Sequence, residues 1–172
     1  GSIATAFAHS IKHCQNSELT SVFGRNEGKT KIFAELFGIH PFSSLQDFIG
    51  SDEVDAVYVA TPHSDHFVYA LEAIKYKKHV LCEKPLTMNA HESMILLDLA
   101  QSSNVFLMEA YMYRTHPQTL NILNNLHLLT ETNKKILIEG SFGFKADVPV
   151  DHRLRNSLLG GGAILDVGCY PL

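Results

Sequence analysis

The sequence has 172 residues, of which 45% are hydrophobic and 19% are charged, and its formal net charge is −4. These proportions are typical of a soluble globular chain, and the acidic balance disfavours a nucleic-acid-binding surface, which normally carries a basic stripe. The apolar runs are much shorter than the roughly 20 residues that cross a bilayer, so we predict neither a nucleic acid nor a membrane partner.

The first two-thirds of the chain alternates helical and strand-like patterns, which is typical of a parallel α/β sheet. The predicted helices are Ile3–Ile11, Asn26–Phe37, a short one beginning at the cap Ser43, Ser64–Tyr76, Asn89–Ala100 and Thr115–Leu128. The predicted strands are Leu19–Gly24, Asp55–Ala60, His79–Cys82 and Val105–Met108. This order predicts a Rossmann-type, doubly wound parallel sheet.

The pattern changes near Asn133. Lys135–Lys145 alternates apolar and polar residues, which predicts a strand with one exposed face. We therefore predict a Rossmann domain over residues 1–132 and the beginning of a second α/β domain over residues 133–172. No strand precedes the first helix and a single strand makes no stable sheet. We thus expect a piece of a longer protein that lacks the first strand of its sheet, binds cofactor poorly and is inactive alone.

The first four residues, Gly1, Ser2, Ile3 and Ala4, match the end of the G-x-G-x-x-G/A pattern of dinucleotide sites. Glycine in this pattern lets the backbone approach a pyrophosphate at a helix N-terminus. A Gly-Ser start is also a common cloning scar. We include all four residues among the candidate cofactor contacts.

Arg25 and Asn26 follow the strand Leu19–Gly24, where a site for NAD would place Asp or Glu against the ribose hydroxyls. A guanidinium suits a 2′-phosphate instead. We therefore predict NADP rather than NAD, with an ordinary exposed loop arginine as the alternative.

Thr61, Pro62, His63 and His66 follow the strand Asp55–Ala60. Ligands of α/β sheets bind beyond the carboxyl ends of the strands, so we place these residues near the cofactor. A histidine in such a loop could equally be exposed to solvent and have no ligand.

Glu83, Lys84 and Pro85 follow the strand His79–Cys82 and reach the same edge of the sheet. A lysine there can donate a hydrogen bond to a substrate hydroxyl or lower the pKa of that group. Pro85 fixes its own backbone angle or holds a cis bond, and either would aim the lysine. We assign Lys84 a catalytic role and include Glu83 and Lys84 among the cofactor contacts, although strand-end lysines are often only surface residues.

A glycine-rich run at residues 160–162 precedes Asp166 and Tyr170. If a helix begins at Ala163, these two side chains stand four residues apart on one face. Tyr170 could then exchange a proton with a substrate oxygen, with its pKa lowered by Lys84, while Asp166 orients substrate hydroxyls. The alternative is a glycine turn followed by an ordinary helix.

The three cysteines, Cys14, Cys82 and Cys169, are scattered and form no CxxC pair. Such spacing disfavours a disulfide framework and a zinc site, and we expect free thiols in the cytoplasm. His9 and His13 stand four apart on a predicted helix, but no third ligand is near them. We therefore predict no metal site.

Four motifs occur in one order along the chain: Thr61-Pro62-x-x-x-His66, Glu83-Lys84-Pro85, the segment Met108–Arg114, and Asp166-x-x-x-Tyr170. Together they resemble the Gfo/Idh/MocA oxidoreductases, and most of all the trans-1,2-dihydrobenzene-1,2-diol dehydrogenase and NADP-dependent D-xylose dehydrogenase branch.

The resemblance implies a Rossmann domain followed by an α/β domain on a mostly antiparallel sheet, which often mediates homo-oligomers, and we expect a dimer. It also implies hydride transfer between NADP and a hydroxyl-bearing carbon of a small-molecule sugar or cyclic trans-diol. Lys84 and Asp166 take the family's catalytic positions, and Tyr170 stands where many relatives carry histidine. The alternatives are an NAD-dependent glycosidase of this fold and a non-catalytic dinucleotide-binding regulatory protein.

Overall fold

The computed structural model describes residues 1–130, 137 and 139–171. The helices are α1 Ser2–Ile11, α2 Glu27–Phe37, α3 Leu45–Gly50, α4 His66–Lys75, α5 Ala90–Ser103 and α6 Pro117–Thr130. The strands are β1 Ser21–Phe23, β2 His40–Phe42, β3 Ala56–Val59, β4 His79–Cys82 and β5 Leu107–Glu109. No helix among these residues is both long and apolar enough to cross a membrane.

All strand pairs are parallel, which confirms the α/β prediction. β3, β4 and β5 form one sheet in that order, and β1 pairs with β2 in a second. The sequence did not predict β2, because it is only three residues long and has Pro41 at its centre. Proline lacks the N–H that pairs strands in a sheet, so a proline in a sequence lowers the expectation of a strand at that position.

A cavity of about 810 Å³ separates β1 from β3. It is lined by residues of both strands and by Ala4, Phe7 and Ala8 of α1. In the usual strand order of a doubly wound sheet, 3-2-1-4-5-6, the first strand lies between the second and the fourth. The strands β1 and β3 of this chain correspond to that second and fourth strand, so the cavity occupies the position of the first. The order of the described strands on the two sides of this cavity therefore fits the predicted Rossmann sheet.

The hydrophobic core lies where α4 and α5 cover the three-stranded sheet. Ile74, Val80 and Leu96 have almost no exposed surface and belong to one cluster with Val57 and Ile49. Because β3 and β4 are buried strands of a parallel sheet, they read as continuous apolar runs. This packing holds the strand ends that carry the candidate site.

Side-chain caps set where several helices begin. The predicted cap Asn89 accepts a hydrogen bond from the Glu92 amide at 3.0 Å, which satisfies an otherwise unpaired donor of the first turn. For α3 the prediction was wrong by one residue, since Ser44 rather than Ser43 accepts from the Asp47 amide. Both serines suit the role, and only the backbone path selects between them.

The predicted strand Lys135–Lys145 is not found where it can be checked. Residues 135, 136 and 138 lie outside the described residues, and residues 139–145 form no strand. A strand needs a neighbour to take its hydrogen bonds, and no described residue pairs with this segment. The second domain with its antiparallel sheet stays a prediction.

Two isoleucines on helices test the assignment of the core. Ile74 is 0% exposed and Ile32 is 67% exposed. Ile74→Ala should lower the free energy of unfolding by about 2–5 kcal/mol, because it leaves a cavity in the packed interior. Ile32→Ala should change it by less than about 0.5 kcal/mol. Equal losses in urea denaturation of the two variants would show that α4 does not cover the core.

Candidate functional site

The candidate site lies at the carboxyl edge of the three-stranded sheet. The Glu83 amide donates to the Val59 carbonyl at 2.9 Å, and the Ala110 amide donates to the Cys82 carbonyl at 2.7 Å. These bonds extend the parallel pairing just past the strands. As a result, the loops that follow β3, β4 and β5 lie side by side, although they are far apart in sequence.

Lys84 is the residue around which the site is arranged. Its Nζ donates to the Asp166 carbonyl oxygen and lies 3.2 Å from Asp166 Oδ1. The side chains of Lys84 and Asp166 are only 14% and 11% exposed. The Lys84–Pro85 peptide is cis. The structure therefore brings together the lysine and the aspartate that the sequence analysis placed in one site.

Arg153 adds a second cation that the sequence analysis missed. Its Nη1 lies 3.6 Å from Asp166 Oδ1, and its side chain is about half exposed. No spacing relates it to a strand end, because it lies in an irregular segment, so no sequence signal could have found it. With Lys84 and Arg153 against one carboxylate, the local charge favours an electron-rich oxygen of a ligand.

Tyr170 completes the predicted trio and belongs to an aromatic cluster. Lys84 Nζ lies over its ring, 5.3 Å from the centroid. The ring stacks on Phe142 at 5.0 Å between centroids, and Tyr113 and Tyr111 stand at 5.8 Å and 6.4 Å. Tyr111 and Tyr113 belong to the motif Met108–Arg114, and Phe142 belongs to no motif. The sequence analysis gave none of these three residues a role.

The expected lowering of the Tyr170 pKa by Lys84 is wrong in direction. Burial, followed by the neighbouring Cys169, Glu83 and Asp166, raises the pKa of the Tyr170 hydroxyl above its ordinary value of 10.0. The ammonium of Lys84 lies over the ring and is bonded to Asp166. Its charge is therefore largely offset before it reaches the phenol oxygen.

The turn that carries Asp166 also differs from the prediction. The segment Ile164–Gly168 forms one π-helical turn, and the Tyr170 amide then bonds to the Val167 carbonyl at 3.1 Å. The helical segment thus begins at Ala163, as predicted, but it ends at Gly168 and does not reach Tyr170. Asp166 and Tyr170 still reach the same site, because both are brought to Lys84 by the turn.

The glycines at positions 160–162 allow the turn that carries Asp166 to pack closely against the rest of the chain. A Cβ on Gly161 would lie 2.7 Å from main-chain atoms of Arg155 and Asn156, a distance that only glycine permits. Gly160 has φ +78°, and a Cβ there would lie 2.7 Å from Met88 Sδ and 3.2 Å from His63 Cβ. The glycines therefore allow the segment before Asp166 to pack closely on the strand-end loops.

The N-terminal candidates lie at the start of α1. Gly1 precedes the helix, and its carbonyl accepts the Thr5 amide at 3.0 Å. Gly1 and Ala4 line the cavity beside β1, while Ser2 and Ile3 are exposed. The structure thus places a helix N-terminus with small residues beside that cavity.

Arg25 and Asn26 line the same cavity from the end of β1. Arg25 Nη2 lies 2.7 Å from Asp65 Oδ2, and the Arg25 side chain is 66% exposed. Asn26 Oδ1 caps α2 by accepting the Lys29 amide at 2.9 Å. Arg25 is therefore accessible to an anion, although it already has a carboxylate partner.

The loop after β3 contains three buried polar atoms with no hydrogen-bond partner in the described part of the chain, Thr61 Oγ1, His63 Nδ1 and Asp65 Oδ2, of which the last has an ion pair with Arg25. Burial, followed by the charges of His66 and Arg153, lowers the pKa of His63 below its ordinary value. Pro62 is exposed. Thr61 also lines the cavity beside β1.

His66 and Glu83 are used within the protein. His66 is fully buried, and its ring nitrogens bond to the carbonyl oxygens of Pro85 and Thr61 at 2.7 and 2.9 Å. It thus lies beneath the site and not on its surface. Glu83 Oε1 accepts from the Tyr58 hydroxyl at 2.5 Å, which directs this carboxylate toward the cavity-lining Tyr58.

No group of three or more His, Cys, Asp or Glu side chains within the described ranges is placed to hold a metal ion.

The chain was compared with known families. The sequence model of the Gfo/Idh/MocA oxidoreductase family, described as a NAD-binding Rossmann fold, matches residues 1–111. That range includes α1, all five strands and Lys84. Asp166 and Tyr170 lie beyond it.

Two curated relatives illustrate the similarity. A D-xylose 1-dehydrogenase (NADP(+)) of Haloferax volcanii is 32% identical over 90% of this chain and 47% of its own length. A trans-1,2-dihydrobenzene-1,2-diol dehydrogenase of Danio rerio is 35% identical over 91% of this chain and 46% of its own length. The chain therefore spans about half the length of the curated relatives it matches.

A solved structure shows the same fold. KijD10, a 3-ketoreductase from Actinomadura kijaniata in complex with NADP and TDP-benzene, superposes with a TM-score of 0.80 at 30% sequence identity. The match covers 95% of this chain and 50% of the other.

Proposed function

The chain belongs to the Gfo/Idh/MocA family of NAD(P)-dependent oxidoreductases, and on that premise we propose that the whole protein transfers a hydride between NADP and a hydroxyl-bearing carbon of a sugar or cyclic trans-diol. One observation supports this most directly. The ammonium of Lys84 is held between Asp166 and the ring of Tyr170, at the edge of a parallel sheet where ligands bind.

The residues that would hold the cofactor fit a phosphorylated dinucleotide. The N-terminus of α1, with Gly1 and Ala4, offers free amide groups and little side-chain bulk to a pyrophosphate. Arg25 offers a guanidinium to a 2′-phosphate. The buried Thr61 hydroxyl has no partner among the described residues, so a bound ligand would satisfy it. When bound, NADP supplies the hydride chemistry.

The protein's own residues then handle the substrate oxygen and its proton. Lys84 donates a hydrogen bond to the oxygen and stabilises negative charge that develops there. Because its pKa is raised, the Tyr170 phenol stays protonated near neutral pH and is suited to donate a proton in the direction of carbonyl reduction. Asp166 fixes Lys84 and can accept a hydrogen bond from a neighbouring substrate hydroxyl.

The shape of the site supports a cyclic, hydroxylated substrate. Tyr111, Tyr113, Phe142 and Tyr170 form an aromatic surface beside the charged groups. Such a surface can pack against the C–H face of a sugar or a carbocyclic ring, while Lys84 and Asp166 reach its hydroxyls. The named substrates of the relatives, D-xylose and trans-dihydrobenzenediol, share this combination.

Lys84→Met in the whole protein tests the role of the lysine. We expect NADP-linked turnover to fall by about 10²–10⁴-fold, the range typical of groups that take part in proton transfer. Steady-state rates of NADPH formation from pentoses, hexoses and dihydrodiols measure this.

Lys31→Met is the matched control, because Lys31 is exposed and its ion pair with Glu27 on α2 should contribute little. A loss of less than about tenfold in Lys84→Met, well below the range for proton-transfer groups, would contradict the assigned role. Tight retention of NAD with no net NADPH formation by the unaltered protein would instead favour a glycosidase.

Arg25→Asp tests the coenzyme preference. We expect the ratio of kcat/KM for NADP to that for NAD to fall by at least about tenfold, since a charge-assisted hydrogen bond contributes about 1.5–3 kcal/mol. Asp65→Asn provides the matched opposite change, because it releases Arg25 from its carboxylate partner and should raise the ratio. An unchanged kcat/KM ratio in both variants would show that Arg25 does not bind the 2′-phosphate.

A further inference from the structure

One peptide group next to Lys84 is held at both of its ends by side chains. The Pro85 carbonyl oxygen accepts from His66 Nδ1 at 2.7 Å, and the Leu86 N–H of the same peptide donates to Glu109 Oε1 at 2.7 Å. We propose that His66 and Glu109 act as a clamp on this peptide and are the positioning residues for Lys84. The inference rests on the function proposed above.

The clamp joins three neighbouring strand ends. His66 begins α4 just after β3, the peptide follows β4, and Glu109 is the last residue of β5. Through its other ring nitrogen, His66 also bonds to the Thr61 carbonyl at 2.9 Å. A series of close polar contacts therefore runs across the edge of the sheet, from the loop that carries Thr61, through the lysine turn, to Glu109.

The turn needs side-chain partners because its own main chain is short of donors. Pro85 has no N–H, so the main chain offers one donor fewer directly after Lys84. The Glu83 amide bond to the Val59 carbonyl fixes the chain just before Lys84. From Lys84 to Leu86 the other contacts are weak, since Cys82 Sγ lies 3.8 Å from the Leu86 carbonyl and the Lys84 amide lies 3.3 Å from Glu83 Oε2. The two 2.7 Å bonds of the clamp are therefore the main restraint on the turn.

The polarity of the clamp suits the peptide. A carboxylate oxygen faces its N–H and a ring nitrogen faces its oxygen, so both partners align with the peptide dipole. Hydrogen bonds to a charged group are shorter and stronger than neutral ones, and His66 lies in the buried interior, where such bonds are strengthened further. Both partners of the His66 ring are carbonyl oxygens, which only accept. The clamp therefore requires a proton on His66 Nδ1, and the contact with Thr61 is a second hydrogen bond only when Nε2 is protonated as well.

Neither clamp residue needs to touch substrate to affect turnover. Lys84 Nζ has to meet Asp166 and a substrate oxygen together, and a displacement of about 1 Å can cost about 10²-fold in rate. Releasing the peptide lets the Lys84 backbone rotate, and the ammonium then leaves its place beside Asp166. The effect should appear in kcat more than in cofactor affinity.

Two substitutions of one residue separate the clamp from simple packing. The amide nitrogen of Asn mimics His Nδ1, so His66→Asn keeps a donor for the Pro85 carbonyl. The amide of Gln mimics Nε2, so His66→Gln keeps only the bond to Thr61. At Glu109, Gln keeps an acceptor oxygen and Ala does not. His91→Gln, at an exposed position on α5, is the control.

In the whole protein, we expect kcat to fall about 10–100-fold in His66→Gln and Glu109→Ala, in line with a small displacement of the lysine. The KM for NADP should stay within about twofold. His66→Asn and Glu109→Gln should recover most of the rate. The double variant that combines His66→Gln with Glu109→Ala should be no slower than the slower of these two single variants, because both residues act on one peptide.

Hydrogen exchange of the Leu86 amide and ring ¹⁵N NMR test the clamp even if no turnover is found, and so separate its failure from that of the proposed function. We expect the Leu86 amide to be protected from exchange in the unaltered protein and less protected in His66→Gln and Glu109→Ala. The ring NMR spectrum should show a proton on His66 Nδ1. Equal rates and exchange in His66→Asn and His66→Gln, or an unprotonated Nδ1, would overturn the clamp.

Discussion

The parallel alignment of β3, β4 and β5 is the constraint on which the rest of the structure depends. Parallel strands place their carboxyl ends at one edge, so the loops beginning at Thr61, Glu83 and Ala110 become neighbours. The helices α4 and α5 hold this alignment through the buried side chains of Ile74 and Leu96. Every group of the candidate site is attached to one of these loops or packs on them.

The pair formed by Lys84 and Asp166 is the second requirement. Both side chains are largely buried, and a charge in such a place has to be paired and hydrogen-bonded. The pairing draws the glycine-rich turn onto the sheet edge and brings Tyr170 over the ammonium. It also explains why the Tyr170 pKa is not lowered, since the cation nearest the phenol is already balanced by a carboxylate.

Much of this arrangement was readable from the sequence, for physical reasons that differ between residues. Lys84 and Thr61 each follow a short apolar run of the kind that buried parallel strands have. Asn89 is a capping residue before a helical pattern. β2 was missed because Pro41 interrupts the strand pattern. The positions of Arg153 and Phe142 could not be predicted, because they lie in irregular segments. The sign of the Tyr170 pKa shift depends on burial, which no spacing reveals.

The central claim is that the Lys84, Asp166 and Tyr170 cluster is the place of hydride transfer to or from NADP. A crystal structure of the whole protein with NADP bound tests it most directly. We expect the nicotinamide ring beside Lys84 and Tyr170, the pyrophosphate at the N-terminus of α1 and the 2′-phosphate in contact with Arg25. A dinucleotide whose nicotinamide lies away from Lys84, with Lys84 still bonded to Asp166, would contradict it.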